Sequence, residues 1–371
     1  MAVDIHQVSS RRELMEFIKF PYALYRDDPC YVPRLLMERK EFFSDENPIF
    51  EFTRVRYLLA RDGDGQVVGR VTAHINERHN EFSGEQTGFF GFFESVRDPN
   101  VAAALMGEVE SWLREQGMDT VRGPFNFSTN QECGFLADSF GKPPAFMMPY
   151  TRPCYLEFME GLGYGLARRL LAYYYEYDGT IPAHLVRFSR RARDRCPATV
   201  RPVDMRHFEQ DVRKAFSVYN RAWSRNWGFV PMTEAQFEHT AHNLRTIVDP
   251  ALALIAEVGD EPVGFLLALP DLNKVLKKMN GRLFPFGIFR FLFGRRRIKG
   301  VRVLIMGVVE EFRRLGVDVM LVHRAFQNGD RRGYRHAELS WVLEENQMLR
   351  RALERLGASV DKTYHIYEKS L

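Results

Sequence analysis

The sequence predicts an α+β protein built from two similar halves, each a mixed sheet with helices on both faces. Two observations support this prediction. Each half contains a β-hairpin that is followed by a central helix, a strand, a short helix and a last strand. The length of 371 residues also exceeds that of an ordinary single domain. A hydrophobic content of 45% with 27% charged residues is typical of globular chains, so each half can bury its own core.

Short motifs recur in the two halves at nearly the same spacing. Val68-Gly69 recurs as Val263-Gly264, 195 residues later (264 minus 69). Leu162-Gly163 recurs as Leu356-Gly357, 194 residues later (357 minus 163). Near-equal offsets between several motifs indicate a duplication.

The elements of each half begin with a helix. Ser10 and Thr233 both start a motif in which a side-chain oxygen caps a helix whose third residue is Glu or Gln. The hairpins follow, because runs of β-branched and aromatic residues flank short Gly/Asp turns. The predicted hairpin strands are residues 55–60 with 67–75, and residues 251–258 with 262–269.

We expect a first domain over residues 1–180 and a second over residues 181–371. Residues 177–182 have the Asp, Gly and Pro composition of a linker. The second half is longer upstream of its central helix, and we place an insertion there at residues 271–300. The first half is longer after its central helix, in residues 123–150.

Composition and charge limit the partners, the metal or disulfide chemistry and the cellular location that we expect. The net charge of +4 is small for this length and does not by itself favour nucleic acid as a partner. The four cysteines form no Cys-x-x-Cys pair or Cys/His cluster, so we expect neither a disulfide framework nor a metal. The N-terminus has no secretory pattern, and no apolar run reaches the ~18 residues of a membrane span. The prediction is a cytoplasmic protein, either soluble or peripheral on the inner membrane.

Residues 305–318 predict an anion site, because a β-branched strand runs into a basic, glycine-containing turn that begins a helix. Apolar residues of that helix recur on one face, which sets its core side and points its first N–H groups out of the turn. Those groups, with the positive end of the helix dipole, suit a phosphate.

The turn Arg313-x-x-Gly316-x-Asp318, followed by a strand and by the helix of residues 346–357, resembles the acyl-CoA site of the GNAT superfamily of N-acyltransferases. The resemblance implies that an amine attacks the thioester of acyl-CoA directly, without a metal. It also implies roles for seven residues: Val308 at the thioester, Arg313, Arg314, Leu315, Gly316 and Val317 at the diphosphate, and Asn346 at the pantetheine arm.

Two residues depart from the superfamily pattern. Asp318 stands where Gly or Ala is usual and places a carboxylate beside the expected phosphate. Leu353 stands where many members have the tyrosine that protonates the leaving thiolate. The first half has no Arg/Gln-x-x-Gly turn and resembles a domain that has lost its donor site. Its Glu94 is predicted to be a surface or capping residue.

Residues 274–302 contain ten basic residues and no acidic one, around a run rich in Phe and Leu. Such a segment suits an anionic membrane surface, which we expect to bind residues 282–300. The alternative is a clamp that packs against the first half with its charges solvated. We do not expect nucleic acid, because the aromatic residues form one apolar run and do not alternate with the bases.

This insertion, together with residues 223–231 and 123–128, resembles the bacterial ceramide synthase group, which N-acylates a long-chain base with acyl-CoA. Acyl transfer to an amine requires a base and a donor for the carbonyl oxygen. The candidate bases are Glu310, Asp271 and His323. The candidate residues for substrate binding are Asn126, Glu132, Tyr150, Asn226 and Asn273.

Two other functions stay open. Tandem GNAT folds also occur in transferases that use aminoacyl-tRNA, and the basic residues 187–201 could serve tRNA. The chain could also be a non-catalytic ligand-binding scaffold, because both donor sites depart from the pattern.

Overall fold

A computed structural model describes residues 3–371. The chain forms two compact units. Unit 1 contains the residues up to Leu171 together with Val275–Phe291 and Lys362–Leu371. Unit 2 contains Ala172–Lys274 and Leu292–Asp361. The sequence-based domains of residues 1–180 and 181–371 stay a prediction.

Strands and helices alternate along the chain in the predicted order. The strands are β1 (Asp4–Gln7), β2 (Thr53–Arg61), β3 (Val67–Asn76), β4 (Thr87–Ser95), β5 (Thr120–Gly123), β6 (Phe135–Leu136), β7 (Gly165–Glu176), β8 (Thr199–Pro202), β9 (Ala253–Val258), β10 (Glu261–Pro270), β11 (Gly300–Val308), β12 (His336–Leu343) and β13 (Ser359–Ser370). The helices are α1 (Arg11–Leu24), α2 (Leu36–Phe42), α3 (Glu77–Ser83), α4 (Pro99–Glu115), α5 (Cys154–Gly161), α6 (Ala183–Arg195), α7 (Phe208–Trp223), α8 (Glu234–Arg245), α9 (Asn273–Met279), α10 (Gly287–Arg295), α11 (Val317–Arg332) and α12 (Gln347–Leu356).

Each unit is a mixed sheet with helices on both faces, which confirms the predicted α+β class. The strand order in unit 1 is β1-β2-β3-β4-β5-β13, followed by the first part of β7. The order in unit 2 is the second part of β7, then β12-β11-β10-β9-β8. Two pairings are parallel, β4 with β5 and β11 with β12. Parallel strands cannot be joined by a tight turn and need a crossover connection. The helices α4 and α11 make these two crossovers.

The recurring Val-Gly motifs are explained by close packing of a helix on each sheet. A Cβ on Gly69 would lie 2.8 Å from Leu105 of α4, and a Cβ on Gly264 would lie 3.0 Å from Leu321 of α11. Only glycine therefore lets the central helix of each unit approach its sheet so closely. Both helix-start motifs form complete capping boxes, at Ser10 and at Thr233.

The last strand of the chain completes the sheet of unit 1. β13 pairs antiparallel with β5, with Tyr367 opposite Gly123. Tyr364, Ile366 and Tyr367 are almost fully buried. The core around α4 therefore depends on residues from the far end of the sequence.

The predicted insertion at residues 271–300 forms α9 and α10. Val275, Leu276 and Met279 of α9 are buried. Within unit 1 the following turn is held to the segment before α2, where the amide of Leu36 donates to the carbonyl of Gly281 at 3.0 Å. A Cβ on Gly281 would lie 2.6 Å from the ring of Tyr22, so this turn packs closely.

The described residues contain neither a group of potential metal ligands nor a helix suited to crossing a membrane. Within residues 3–371, no three His, Cys, Asp or Glu side chains are grouped as metal ligands. All four cysteines are buried thiols. In the same range, no helix combines the length and the apolar composition that a membrane crossing requires.

Deletion of residues 362–371 is expected to unfold unit 1. The deletion removes three buried side chains, at about 2–5 kcal/mol each, against a typical domain stability of about 5–15 kcal/mol. In hydrogen exchange, amides of α4 and β5 should lose protection while those of β9 and β10 keep it. Deletion of residues 1–7, which removes the largely exposed edge strand β1, is the control. Unchanged protection of α4 and β5 would contradict the assignment of β13 to unit 1.

Candidate functional site

The sheet of unit 2 opens between β11 and β12. The two strands pair over only four residues, from Gly300 with His336 to Val303 with Leu339. A β-bulge follows at once, because Leu267 pairs with Ile305 whereas Ala268 pairs with Val303, which leaves Leu304 extra. Beyond the bulge, Ile305, Met306 and Gly307 are half-buried, whereas Val308 at the end of β11 is buried. A central strand therefore leaves one edge uncovered, which we call the β11 gap.

The backbone N–H groups of β11 determine what this gap can bind. The amide of Val309 donates to the carbonyl of Val263 on β10 at 3.0 Å. Successive amides of a strand point to opposite edges, so the amides of Val308 and Met306 point away from β10 and toward the gap. Unpaired strand amides can accept an extended ligand that carries carbonyl groups. The assignment of Val308 to the thioester stays a prediction.

Trp223 covers the strand between these two amides. A Cβ on Gly307 would lie only 2.2 Å from the Cη2 atom of Trp223. Only a glycine lets the six-membered ring of the indole approach the strand so closely. The ring stacks on Tyr219 at 5.1 Å, and Phe229 extends the same aromatic group. The sequence analysis missed this wall, because it identified residues 223–231 only through a resemblance.

The glycine turn follows β11 through a short 3-10 helix, residues 310–315. Gly316 has a φ of +82°, which favours glycine. A Cβ at this position would lie 2.7 Å from the Cβ of Ala192, so α6 packs directly on the turn. The sequence analysis did not predict a helix at residues 183–195.

Asp318 lies half-buried in the first turn of α11. Burial raises the pKa of its carboxyl, whereas hydrogen bonding from the amides of Val319 and of Asp318 itself opposes the rise. These amides are among those that the sequence assigns to a phosphate. A carboxyl group of the same helix therefore lies close to the helix start.

The remaining residues of the turn either bind neighbouring backbone, are buried or are exposed to solvent. Arg313 donates from Nε to the carbonyl of Val308 at 3.1 Å and from Nη2 to that of Ala222 at 2.6 Å. It therefore ties the end of β11 to the end of α7. Arg314 is exposed, Leu315 is half-buried and Val317 is fully buried.

The helix that follows β12 begins at the predicted Asn346. Its side chain caps α12, because Oδ1 accepts from the amide of Leu349 at 3.1 Å. Leu353, at the position of the usual acid, is buried in the same helix. An aliphatic side chain cannot protonate a thiolate.

The three candidate bases occupy different settings. Glu310 is two residues beyond Val308, is exposed and forms an ion pair with Arg225 at 2.8 Å. Asp271 caps α9, since its Oδ1 accepts from the amide of the buried Asn273 at 3.2 Å. His323 is buried on α11, and its pKa is lowered by burial first and then by the charges of Arg193, Arg190 and Arg324.

The base of the β11 gap holds polar side chains that the sequence analysis did not select. Nε of Arg302 donates to Ser340 Oγ at 3.0 Å, and that hydroxyl donates to Glu338 at 3.0 Å. All three residues are buried. A charged residue inside an otherwise apolar strand segment is the signal that could have identified them.

The corresponding place in unit 1 is filled. β4 is buried along its whole length. The amide of Phe125 donates to the carbonyl of Phe90 at 2.8 Å, and a Cβ on Gly91 would lie 1.8 Å from the carbonyl oxygen of Phe125. The loop after β5 therefore takes the place beside β4 that stays open beside β11.

Asn126 and Glu132, which the sequence assigns to substrate, lie in this loop. Oδ1 of Asn126 accepts from the amide of Phe92 at 2.8 Å, where β4 bulges with a φ of +50°. Nδ2 of Asn126 donates to Glu132 at 3.3 Å, and Glu132 forms an ion pair with Arg34. Both side chains therefore have structural partners within unit 1.

Tyr150 and Asn226 are two further residues that the sequence assigns to substrate. The hydroxyl of Tyr150 donates to Asp28 at 2.9 Å, and both residues line a surface cavity of about 580 Å³ in unit 1. Asn226 is exposed in the turn after α7, where its carbonyl accepts from the amide of Phe229.

Glu94 is not the predicted surface or capping residue. Its carboxylate is buried and accepts from Tyr25 at 2.6 Å and from Tyr155 at 2.8 Å. Burial raises the pKa of Glu94, although the nearby charge of Arg70 opposes the rise. The prediction was wrong because the two tyrosine donors come from helices far from Glu94 in the sequence.

Comparisons with known proteins identify relatives along the whole chain. No protein-family model matches it. The chain is 37% identical over 370 residues to protein YghO of Escherichia coli K12, covering 98% of this chain and 94% of the relative. It is 35% identical over 383 residues to the bacterial ceramide synthase of Caulobacter vibrioides, covering 100% and 98%.

Solved structures share the fold at low identity. A GCN5-related N-acetyltransferase from Sphaerobacter thermophilus matches with a TM-score of 0.54 at 16% identity, over 99% of this chain and 95% of that one. A tandem GNAT protein from the clavulanic acid biosynthesis pathway matches with a TM-score of 0.58 at 10% identity, over 100% and 98%. The tandem arrangement predicted from the repeat is thus a known one.

Replacement of Asp318 by Asn is expected to stabilise the protein at neutral pH. A carboxyl whose pKa is raised on folding stabilises the fold below its unfolded value, near 3.8, and loses that contribution as pH rises through the folded value. The amide stays neutral, so the melting temperature of Asp318→Asn minus that of the wild type should grow from pH 3.5 to pH 7. Asp194→Asn, at an exposed aspartate of α6, is the control. A difference that shrinks with rising pH would refute the buried setting of Asp318.

Proposed function

This chain belongs to the tandem GNAT acyltransferase family that includes the bacterial ceramide synthase, and we propose that it transfers a long acyl chain from acyl-CoA to a long-chain, sphingoid-type amine. The β11 gap is the observation that supports the proposal best. It offers strand amides to a carbonyl-bearing arm and an aromatic wall to an alkyl chain. The corresponding place in unit 1 is filled, so we assign the chemistry to unit 2.

The reaction requires an amine, a thioester and one proton acceptor. The pantetheine arm would pair with β11, and the amide of Val308 or Met306 would stabilise the oxyanion that forms at the thioester carbonyl. The amine nitrogen attacks the carbonyl carbon, the C–N bond forms, and the C–S bond then breaks. The proton leaves the amine for a base, and the released thiolate takes a proton from solvent because Leu353 cannot supply one.

We assign the base to Glu310 among the three predicted candidates. It lies closest in the chain to the amides that face the gap, and its ion pair with Arg225 keeps a negative charge at the end of β11. Asp271 is engaged in capping α9 at the other end of the strand pair. His323 lies on α11 among arginines, whose charges oppose uptake of a proton.

Purified protein is expected to release CoA from hexadecanoyl-CoA only when a long-chain amine such as sphinganine is present. Thiol release and the mass of the amide product are the measurements. In Gly307→Ala the new Cβ must displace the Trp223 ring, so turnover should fall about tenfold or more, equivalent to ~1.4 kcal/mol of activation free energy. Gly329→Ala is the control, because the nearest atom to its Cβ lies 4.0 Å away.

Three results would count against this function. No thiol release with any acyl-CoA, together with no gain in melting temperature at high acyl-CoA, would favour a non-catalytic scaffold. Consumption of aminoacyl-tRNA in place of acyl-CoA would favour the tRNA-dependent class. Full activity in Gly307→Ala would place the reaction away from the β11 gap.

We also propose that the insertion docks on an anionic membrane surface, where long-chain amines and acyl chains concentrate. Phe284, Phe286 and Phe289 are 68%, 71% and 57% exposed. Lys278, Arg282 and Arg290 are exposed in the same segment of unit 1. The exposed aromatic and basic side chains around α10 support this proposal, whereas the buried residues of α9 fit the alternative of a clamp.

The triple variant Phe284→Ser, Phe286→Ser, Phe289→Ser is expected to lose binding to vesicles that contain phosphatidylglycerol. Three aromatic side chains no longer enter the headgroup boundary, and co-sedimentation should fall at least about tenfold. Wild-type binding should also weaken with salt. Phe82→Ser, at a phenylalanine that is 48% exposed on α3, is the matched control. Equal co-sedimentation of the triple variant and the wild type would remove the membrane role.

A further inference from the structure

Arg313 joins two chain segments that border the β11 gap. Its Nε donates to the carbonyl of Val308 at the end of β11 at 3.1 Å, and its Nη2 donates to the carbonyl of Ala222 near the end of α7 at 2.6 Å. Both acceptor residues are buried. The side chain therefore crosses from the strand that lines the gap to the helix that carries Trp223, the residue that covers this strand.

The Val308 carbonyl lies on the open edge of the strand. The amide of Val309 donates to the carbonyl of Val263 on β10 at 3.0 Å. In a trans peptide the carbonyl points opposite to the N–H group, so the carbonyl of Val308 points away from β10 and toward the gap, as its own amide does. Arg313 occupies this acceptor and leaves the Val308 N–H group as a donor. The end of the gap therefore presents a hydrogen-bond donor beside a positive charge.

The Ala222 carbonyl belongs to the last turn of α7. The last four carbonyls of a helix have no partner within the helix, and a cation near them is favourable. Arg313 binds one of these carbonyls, directly before Trp223. The Trp223 ring approaches Gly307 so closely that a Cβ there would lie 2.2 Å from its Cη2 atom. One guanidinium group therefore holds both the end of the strand and the aromatic wall that covers it.

Two ion pairs also link these segments, and both are weaker. Arg225 pairs with Glu310 at 2.8 Å, and Arg221 lies 3.7 Å from Glu311. All four side chains are exposed, and exposed ion pairs contribute little, because solvent screens the charges and the long side chains lose entropy. Arg313 instead binds backbone carbonyls, which cannot turn away as a flexible carboxylate side chain can. Of these three contacts, that of Arg313 therefore constrains the end of α7 most.

We propose that Arg313 is a positioning residue for acyl transfer, which holds the Val308 amide and the Trp223 ring in place, and that it does not bind the phosphates of the donor. An oxyanion is stabilised by donors that are already aimed at it, and small displacements of reacting groups lower the rate strongly. The guanidinium group also shields the oxyanion from the partial negative charge of the Val308 carbonyl. The assignment rests on the proposed function and extends it. It differs from the diphosphate role that the family resemblance implies for Arg313.

The test measures kcat and KM separately for the full-length variant Arg313→Ala with two donors. Octanoyl-CoA carries the nucleotide phosphates, whereas octanoyl-pantetheine does not, and sphinganine is the acceptor. We expect kcat to fall at least about tenfold with both donors, equivalent to ~1.4 kcal/mol of activation free energy. The KM of octanoyl-CoA should change less than about threefold, because a contact that acts in the transition state lowers kcat and kcat/KM together.

Two further variants separate positioning from general charge and from folding. Arg221→Ala removes an arginine from the same end of α7, where it makes only exposed pairs with Glu261 and Glu311, and its kcat should stay within about twofold of the wild type. Arg313→Lys keeps the charge but replaces the planar fork by one ammonium group, so its kcat should lie between those of the wild type and Arg313→Ala. Each kcat is measured at a temperature at which the variant is folded.

Four outcomes would overturn the assignment. A higher KM for octanoyl-CoA at unchanged kcat, with octanoyl-pantetheine unaffected, would make Arg313 a ligand of the phosphates. A lower melting temperature of Arg313→Ala at unchanged kcat would leave it a role in stability alone. Equal loss of kcat in Arg221→Ala would indicate a general effect of charge. Wild-type protein that releases no thiol from either donor would refute the proposed function itself, and this assignment with it.

Discussion

The short pairing between β11 and β12 is the constraint on which the functional part of the molecule depends. Four residue pairs hold the strands together, and the extra residue at Leu304 then turns β11 away. Backbone amides inside a sheet normally have partners, because an unpaired buried N–H group is costly. The uncovered edge of β11 therefore keeps backbone N–H groups that the neighbouring strand does not bind and that are available to a ligand.

The space beside the strand that precedes the central helix is filled in unit 1 and open in unit 2. In both, a parallel pair of strands is short and the strand before the central helix bulges. Unit 1 fills the space with Phe125 and Asn126, whose backbone and side chain satisfy β4. Unit 2 keeps the space beside β11 and lines one side with Trp223. The same plan therefore has a filled, buried place in unit 1 and a partly exposed one in unit 2.

The start of α11 differs from a helix N-terminus without charged side chains, because its first turn contains Asp318. A carboxylate near a helix N-terminus is favourable by about 0.3–1 kcal/mol, and partial burial of Asp318 works against that gain. With its own carboxylate in place, the helix start is a weaker attractor for a phosphate. The exposed arginines of α6 lie on a helix whose Ala192 packs on Gly316 of the turn.

The sequence alone determined the local elements of this protein. Capping boxes at Ser10 and Thr233, the two hairpins and the glycines at positions 69 and 264 are read from residues near one another in the chain, because propensity, capping and close helix approach are encoded locally. The family resemblance followed from the same local motifs. It also placed Val308 and Gly316, but it could not show which neighbours cover them.

Tertiary structure decided everything that depends on packing between distant segments. Ala192 on Gly316, Trp223 on Gly307, the two tyrosines on Glu94 and the last strand beside β5 are contacts between residues far apart in sequence. No periodicity or spacing encodes such contacts, because they arise only when whole elements pack and their side chains compete for the same space. For this reason the sequence could indicate a glycine-containing turn before α11, whereas only the fold showed that Ala192 of α6 packs on its Gly316.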